Sequence, residues 1–181
     1  NELENNQTTV AKHLLAQVHG SWASTIQRGT EAALLYQDMV EQMLERERPV
    51  IVMGDFNDGL DSAPLQALIG GQKADRLNGK IVKDLPLNDR RAIQRFSLYD
   101  AFELQDEFDA DKRIPTHYFA NKGNVLDYIL LSKDFNGKYD HGLAHVSGYQ
   151  VSDKHLVKNH HEDDIECSDH AAVMVEIEIR S

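Results

Sequence analysis

Two polar clusters sit at the ends of apolar runs and hold residue types suited to general-base chemistry and hard-cation binding. The first is Val50-Ile51-Val52-Met53-Gly54-Asp55-Phe56-Asn57-Asp58. A buried strand over Val50–Met53 would deliver polar residues beyond its carboxyl end, where open α/β sheets place their sites. In extended geometry Asp55 and Asn57, two residues apart, project to the same side. A carboxylate and an amide converging there can orient a water and hold a phosphate oxygen or a hard cation. The same letters also spell a turn, since Gly-Asp and Asn-Asp-Gly are common loop chemistry.

The second cluster is Ile165-Glu166-Cys167-Ser168-Asp169-His170, directly before a final strand. Adjacent Asp169 and His170 can supply a metal carboxylate and an imidazole facing a phosphoryl group, although Ser and Asp are also favoured in any polar loop. A third feature is Pro115-Thr116-His117-Tyr118-Phe119 followed by Asn124-Val125-Leu126-Asp127-Tyr128-Ile129-Leu130-Leu131-Ser132. Asp127 interrupts an apolar strand, and a carboxylate there needs a partner because an unpaired buried charge is costly. It either accepts from backbone or hydroxyl donors, orients a site histidine, or faces water on an edge strand.

Nine histidines invite a transition-metal reading, above all His155, His160 and His161 beside Glu162, Asp163 and Asp164. That stretch has no apolar period and reads as a solvated loop, and no HExxH helix or CxxC pair accompanies it. A Walker-type loop, a GxSxG elbow and a GxGxxG turn are all missing from the sequence. Cys167 lies beside acids that would raise a thiol pKa, which argues against a nucleophile.

The elements that must position these residues follow from periodicity. Asn1 to Ser24 reads as a polar loop leading into a marginal helix. From Gln27 to Arg48 the apolar positions Ala32, Leu35, Tyr36, Met39, Val40, Met43 and Leu44 recur at steps of three and four, which predicts an amphipathic helix stopped by Pro49. Ser62-Ala63-Pro64-Leu65 predicts a capped helix start. Gly70–Arg95 reads as an irregular excursion concentrating Lys73, Arg76, Lys80, Lys83, Arg90, Arg91 and Arg95, either a contact for a polyanion or a solvated loop. Ser97–Leu104 carries a short helical pattern. Strands are predicted at His117–Phe119, Val125–Ser132, Leu143–Val151 and Ala171–Arg180, the last with Val173, Val175, Ile177 and Ile179 on one face. A mixed sheet packed with helices follows: α/β or α+β, in one domain over 1–181.

Composition narrows the classes. The chain has 181 residues, 41% hydrophobic and 27% charged, with 30 Asp+Glu against 19 Lys+Arg and a net charge of −11. That apolar content excludes intrinsic disorder, and the length suits one ordinary domain. No run approaches the roughly 20 apolar residues of a membrane span. The single cysteine excludes an internal disulfide framework. The acidic balance argues against holding nucleic acid by charge alone, but not against acids that hold a metal which then meets a phosphate. The opening NELENNQTTV is polar and does not read as a secretory signal, Asn1 is not a start methionine, and localisation stays open.

Taken in order, the apolar strand with Gly54-Asp55-Phe56-Asn57, Thr116 leading to Leu126-Asp127-Tyr128-Ile129-Leu130, and Ser168-Asp169-His170 before a terminal strand resemble the endonuclease/exonuclease/phosphatase superfamily. The resemblance spans about Arg28 to Ile179, with Arg28 before a long helix and Ser62-Ala63-Pro64-Leu65 fitting as well. It implies part of a four-layer sandwich of two packed, mostly antiparallel sheets flanked by helices. It also implies a metal-dependent phosphodiesterase, nuclease or phosphatase using Mg2+ or Mn2+. By the same resemblance Asp55 activates the attacking water, Asn57 binds the scissile phosphate, and His170 binds the phosphate and stabilises the transition state. Asp127 orients a site histidine, Thr116 supports from behind, and Asp169 contributes to the metal or pairs with a histidine.

The chain also departs from the pattern. The strand-borne Glu, the early Asn and the further His of the family's first third have no counterpart here, since Glu2 and Glu4 lie in a polar start. The sequence is therefore expected to be the C-terminal part of the fold, lacking its N-terminal strands, with weak Mg2+ binding and slow hydrolysis when alone. A substrate that is nucleic acid, a phospholipid headgroup or a small phosphoester remains open, as does a binding module that keeps the fold without hydrolysing. Unpaired strand edges would invite a homodimer.

Overall fold

In the computed structural model, which describes residues 2–46, 48–69, 76–120, 122–139, 142–157 and 168–180, the elements in order are α1 (Glu2–Arg46), β1 (Ile51–Asp55), α2 (Ala63–Leu68), β2 (Arg76–Leu77), β3 (Lys80–Ile81), α3 (Leu87–Arg95), β4 (Leu98–Asp100), β5 (His117–Phe119), β6 (Lys122–Asn124), β7 (Asp127–Ser132), β8 (Ala144–Ser152), α4 (Lys154–Val157) and β9 (Ala172–Ile179). β7 is the organising strand. It pairs antiparallel with β1 on one side and β4 on the other. Its side chains alternate between two cores, as a strand's period of two requires. Tyr128 and Leu130 join Met39 and Met43 of α1 and Leu65 and Leu68 of α2, while Ile129 and Leu131 join Phe135, Ala144 and Val146.

The second core is closed by the β8–β9 ribbon, whose Val173, Val175 and Ile177 pack against it. Helices, a three-stranded sheet and a two-stranded ribbon thus make three layers, an α/β architecture with packed antiparallel sheets. The alternation expected of β9 holds from Val173 to Ile177. It fails at Ile179, which is 75% exposed at the strand's end.

Five expectations change. The polar start is not a loop: α1 runs unbroken for 45 residues from Glu2 to Arg46. Its last part packs through Met39 and Met43, while Val10, Leu14, Val18, Trp22 and Ile26 are each more than half exposed. The first core needs only the helix's C-terminal turns, so the apolar rhythm upstream has no described neighbour and gave a weak signal. Val50–Met53 is not fully buried. β1 is an edge strand with Val52, like Val50 just before it, against the helical core but Ile51 and Met53 exposed.

Ser97–Leu104 is a strand followed by a 3-10 turn, not a helix. Leu98, Tyr99 and Asp100 are all buried, so no alternation of exposed and buried positions marks the strand's period. The basic excursion is partly regular: residues 70–75 lie outside the described residues, but 76–81 form a hairpin and 87–95 a helix. Its turn uses Asn78 and Gly79 with φ of 48° and 78°, the left-handed pair that two-residue hairpins favour. Lys154–Glu166, read as a solvated loop, begins with the short helix α4. His160, His161, Glu162, Asp163, Asp164 and Cys167 lie outside the described residues.

Candidate active site

Asp55 ends β1, Asp127 opens β7, and the antiparallel register sets the two directly opposite each other. Like charges so placed repel and weaken a ladder. His170 lies against both: Nδ1 is 2.9 Å from Asp127 Oδ2 and Nε2 is 3.9 Å from Asp55 Oδ2. The hydrogen bond to Asp127 holds the His170 pKa above its ordinary value; partial burial opposes the rise, and the charges of Asp127, Asp55 and Asp169 support it. With Nδ1–H given to Asp127, Nε2 is the nitrogen left to face a ligand.

Several bonds fix that imidazole. His170 pairs in an isolated antiparallel bridge with His117, and its backbone N–H donates to Ser168 Oγ at 3.1 Å. Its carbonyl lies 3.1 Å from Nε2 of His155. Thr116, fully buried, ties the pieces together. Its Oγ1 accepts from the backbone N–H groups of Leu126 (3.0 Å) and Asp127 (3.2 Å), and its carbonyl accepts from Ala171 (2.7 Å). One hydroxyl therefore sets the start of β7 while the same residue's backbone anchors the segment bearing His170.

Asn57 reaches Asp55, but not by extended geometry. Its φ is 53°, a left-handed conformation that Asn tolerates better than most residues. The chain turns back so that Asn57 donates its backbone N–H to Asp55 Oδ1 (2.8 Å) and its Nδ2–H to Asp55 Oδ2 (3.0 Å). Gly54, with φ of 154°, precedes the turn in a conformation where an L side chain would be strained. Asp55 and Asn57 border a cleft of about 300 Å3 between α1 and β1, which Arg28, Glu31 and Leu35 also line. Arg28 enters an ion pair with Asp58 at 3.4 Å. A roomier cavity of about 430 Å3, lined by Arg91, Lys133 and Lys138, lies at the other end of the sheet, away from these carboxylates.

The structure thus brings Asp55, Asn57, Asp127 and His170 into one constellation, with Thr116 behind it. Asp169 is exposed beside them, and its carboxylate lies within 4.8 Å of donor atoms on His117 and His170. Asp55, Asp127 and His170 form a second set with the same closeness. His117 was not singled out by sequence. It follows Thr116 in a short strand, and only its bridge to distant His170 reveals it. The carboxylates of Asp55 and Asp127, with Asp169 beside them, are oxygen donors that fit a hard divalent cation.

The model of the Endonuclease/Exonuclease/phosphatase family matches residues 6–170. The protein belongs to that family, whose members are generally hydrolases of the nuclease and phosphatase type and typically use a divalent metal. No curated protein and no solved structure matches the chain. Among the described residues no helix is long and apolar enough to cross a membrane.

Proposed function

We propose that the protein hydrolyses a phosphoester by in-line attack of water, with Asp55 as general base. The observation that carries this reading is the Asp127–His170–Asp55 alignment at the end of the β1–β7 ladder. Asp55 takes the proton of the attacking water, and Asn57, bonded to both its oxygens, keeps that carboxylate oriented while its amide reaches for a phosphate oxygen. His170 donates from Nε2 to the phosphoryl oxygens as charge builds on them, and Asp127 fixes its tautomer. Asp169, with the neighbouring carboxylates, would hold Mg2+ or Mn2+, which neutralises the phosphate's charge when bound. The cleft beside Arg28 receives the remainder of the substrate, a nucleic acid or a smaller phosphoester. The open edge of β1 fits further strands lying alongside it.

The test is hydrolysis of bis-p-nitrophenyl phosphate with Mg2+ or Mn2+. Asp55→Ala is expected to lower the rate by about 10²–10⁴-fold, the usual contribution of a positioned general base, and a chelator should abolish it. Metal-dependent turnover that persists undiminished in Asp55→Ala would overturn the reading.

A further inference from the structure

We propose that His117, Asp169 and His170 form a site for a borderline-soft divalent cation, Zn2+ foremost, whose occupancy withdraws His170 from the phosphate and inhibits hydrolysis. The inhibitory half rests on the role given to His170 above; the binding half stands on the side chains themselves. One donor atom from each of the three residues lies within 4.8 Å of the others. Zinc bonds to imidazole and carboxylate run about 2.0–2.2 Å, so tetrahedral ligand atoms sit about 3.3 Å apart. Asp169 is exposed, and rotation of its side chain shortens the two separations that involve its carboxylate. Both histidines are already held by backbone pairing across the 117–170 bridge, with ring centroids 4.9 Å apart.

Three further observations identify the cation. Two imidazoles and one carboxylate are a nitrogen-rich set that suits zinc, cobalt and nickel, whereas Mg2+ takes oxygen ligands. His170 gives Nδ1 to Asp127 at 2.9 Å, the arrangement in which a metal-bound histidine is oriented by a carboxylate behind it. Nδ1 of His117 is buried without a hydrogen-bond partner among the described residues, and a buried polar atom left unpaired calls for a ligand or water. The set differs from the Asp55–Asp127–His170 group and shares only His170 with it. A soft cation on His117, Asp169 and His170 therefore takes the imidazole assigned above to the phosphate and the carboxylate assigned above to Mg2+.

The experiment uses Co2+ as a spectroscopic probe of the metal-free protein, read by its visible d–d absorption. One Co2+ per chain is expected, displaced by stoichiometric Zn2+ but not by excess Mg2+. His117→Gln should weaken Co2+ binding about tenfold or more, and Asp127→Asn, acting through His170, by a similar factor. Asp55→Asn should leave it unchanged. In the Mg2+-supported hydrolysis assay, Zn2+ should inhibit, and His117→Gln should raise the inhibiting Zn2+ concentration by the factor seen with Co2+. Unaltered Co2+ affinity in a folded His117→Gln protein, or ready displacement by Mg2+, would overturn the proposal. If Co2+ behaves as described but no hydrolysis occurs, the hydrolase reading and the inhibition fall while the site stands. If hydrolysis proceeds and Co2+ finds no nitrogen-rich site, this proposal alone fails.

Discussion

Replacing Thr116 with valine tests the physical account of how the site is assembled. The two side chains have nearly the same shape, so the fully buried position stays filled. What disappears is the oxygen that accepts from the backbone N–H groups of Leu126 and Asp127. A shielded donor left without a partner costs about 1–3 kcal/mol. Leu126 and Asp127 are only half-buried, so water can reach them in part, and about 1 kcal/mol for each is the reasonable figure. A loss of about 2 kcal/mol corresponds to a urea midpoint lowered by about 1 M, taking a denaturant slope of about 2 kcal/mol/M. The same loss lowers Tm by about 4–8 °C for a chain of this length. Amide hydrogen exchange localises the effect: Leu126 and Asp127 should exchange faster, while Leu130 and Leu131, inside the ladder, should not respond to the missing hydroxyl beyond the global loss. A Thr116→Val protein within about 0.5 kcal/mol of the parent, with unchanged exchange at Leu126 and Asp127, would refute the reasoning.

Arg113→Met should be more damaging, by about 3–5 kcal/mol in urea unfolding, because it strips the partner from Asp100, which is 2% exposed and ion-paired to that guanidinium. For pH, the raised His170 pKa means that folding favours its protonated form. Its stabilisation is complete below the unfolded value of about 6.5 and disappears as pH rises through the higher folded value. The groups facing the ring are Asp127, Asp55, Asp169 and His117, with His155 on its carbonyl. Unfolding of Asp127→Asn should therefore fall further short of the parent near pH 6 than near pH 9; an equal gap at both would count against the pair. Met53, 66% exposed on the open β1 edge, is a test of self-association. Sedimentation should detect dimers that Met53→Lys suppresses, and a monomeric parent would remove the edge-pairing idea.

How much of this was legible in the sequence depends on whether a residue's neighbours are announced locally. Asp55, Asp127 and His170 are readable because each terminates or precedes an apolar run, and strand ends are where a sheet gathers polar groups. The extended geometry expected for Asp55 and Asn57 was wrong in detail because Asn57 adopts φ of 53°, which no periodicity encodes. β4 escaped detection because its three side chains are all buried and show no alternation, and the upstream half of α1 because its apolar stripe covers nothing among the described residues. His117 had no local signal: its meaning comes from pairing with His170, far along the chain, through a single bridge.

The opposed carboxylates also show what the site requires. Asp55 facing Asp127 in register is unfavourable for the sheet by itself, so positive charge arriving between them favours the arrangement. When protonated, His170 supplies one such charge, with Nδ1 2.9 Å from Asp127 and Nε2 3.9 Å from Asp55. A divalent cation on the carboxylates serves the same end, and the two compensate for one another. Raising the pH without metal should consequently loosen the ends of β1 and β7, while added Mg2+ or Mn2+ should restore them. The amide of Asn57, donated directly to Asp55, reports this in exchange measurements. If it is equally protected at high pH with and without metal, then neither proton nor cation is what holds the two aspartates together.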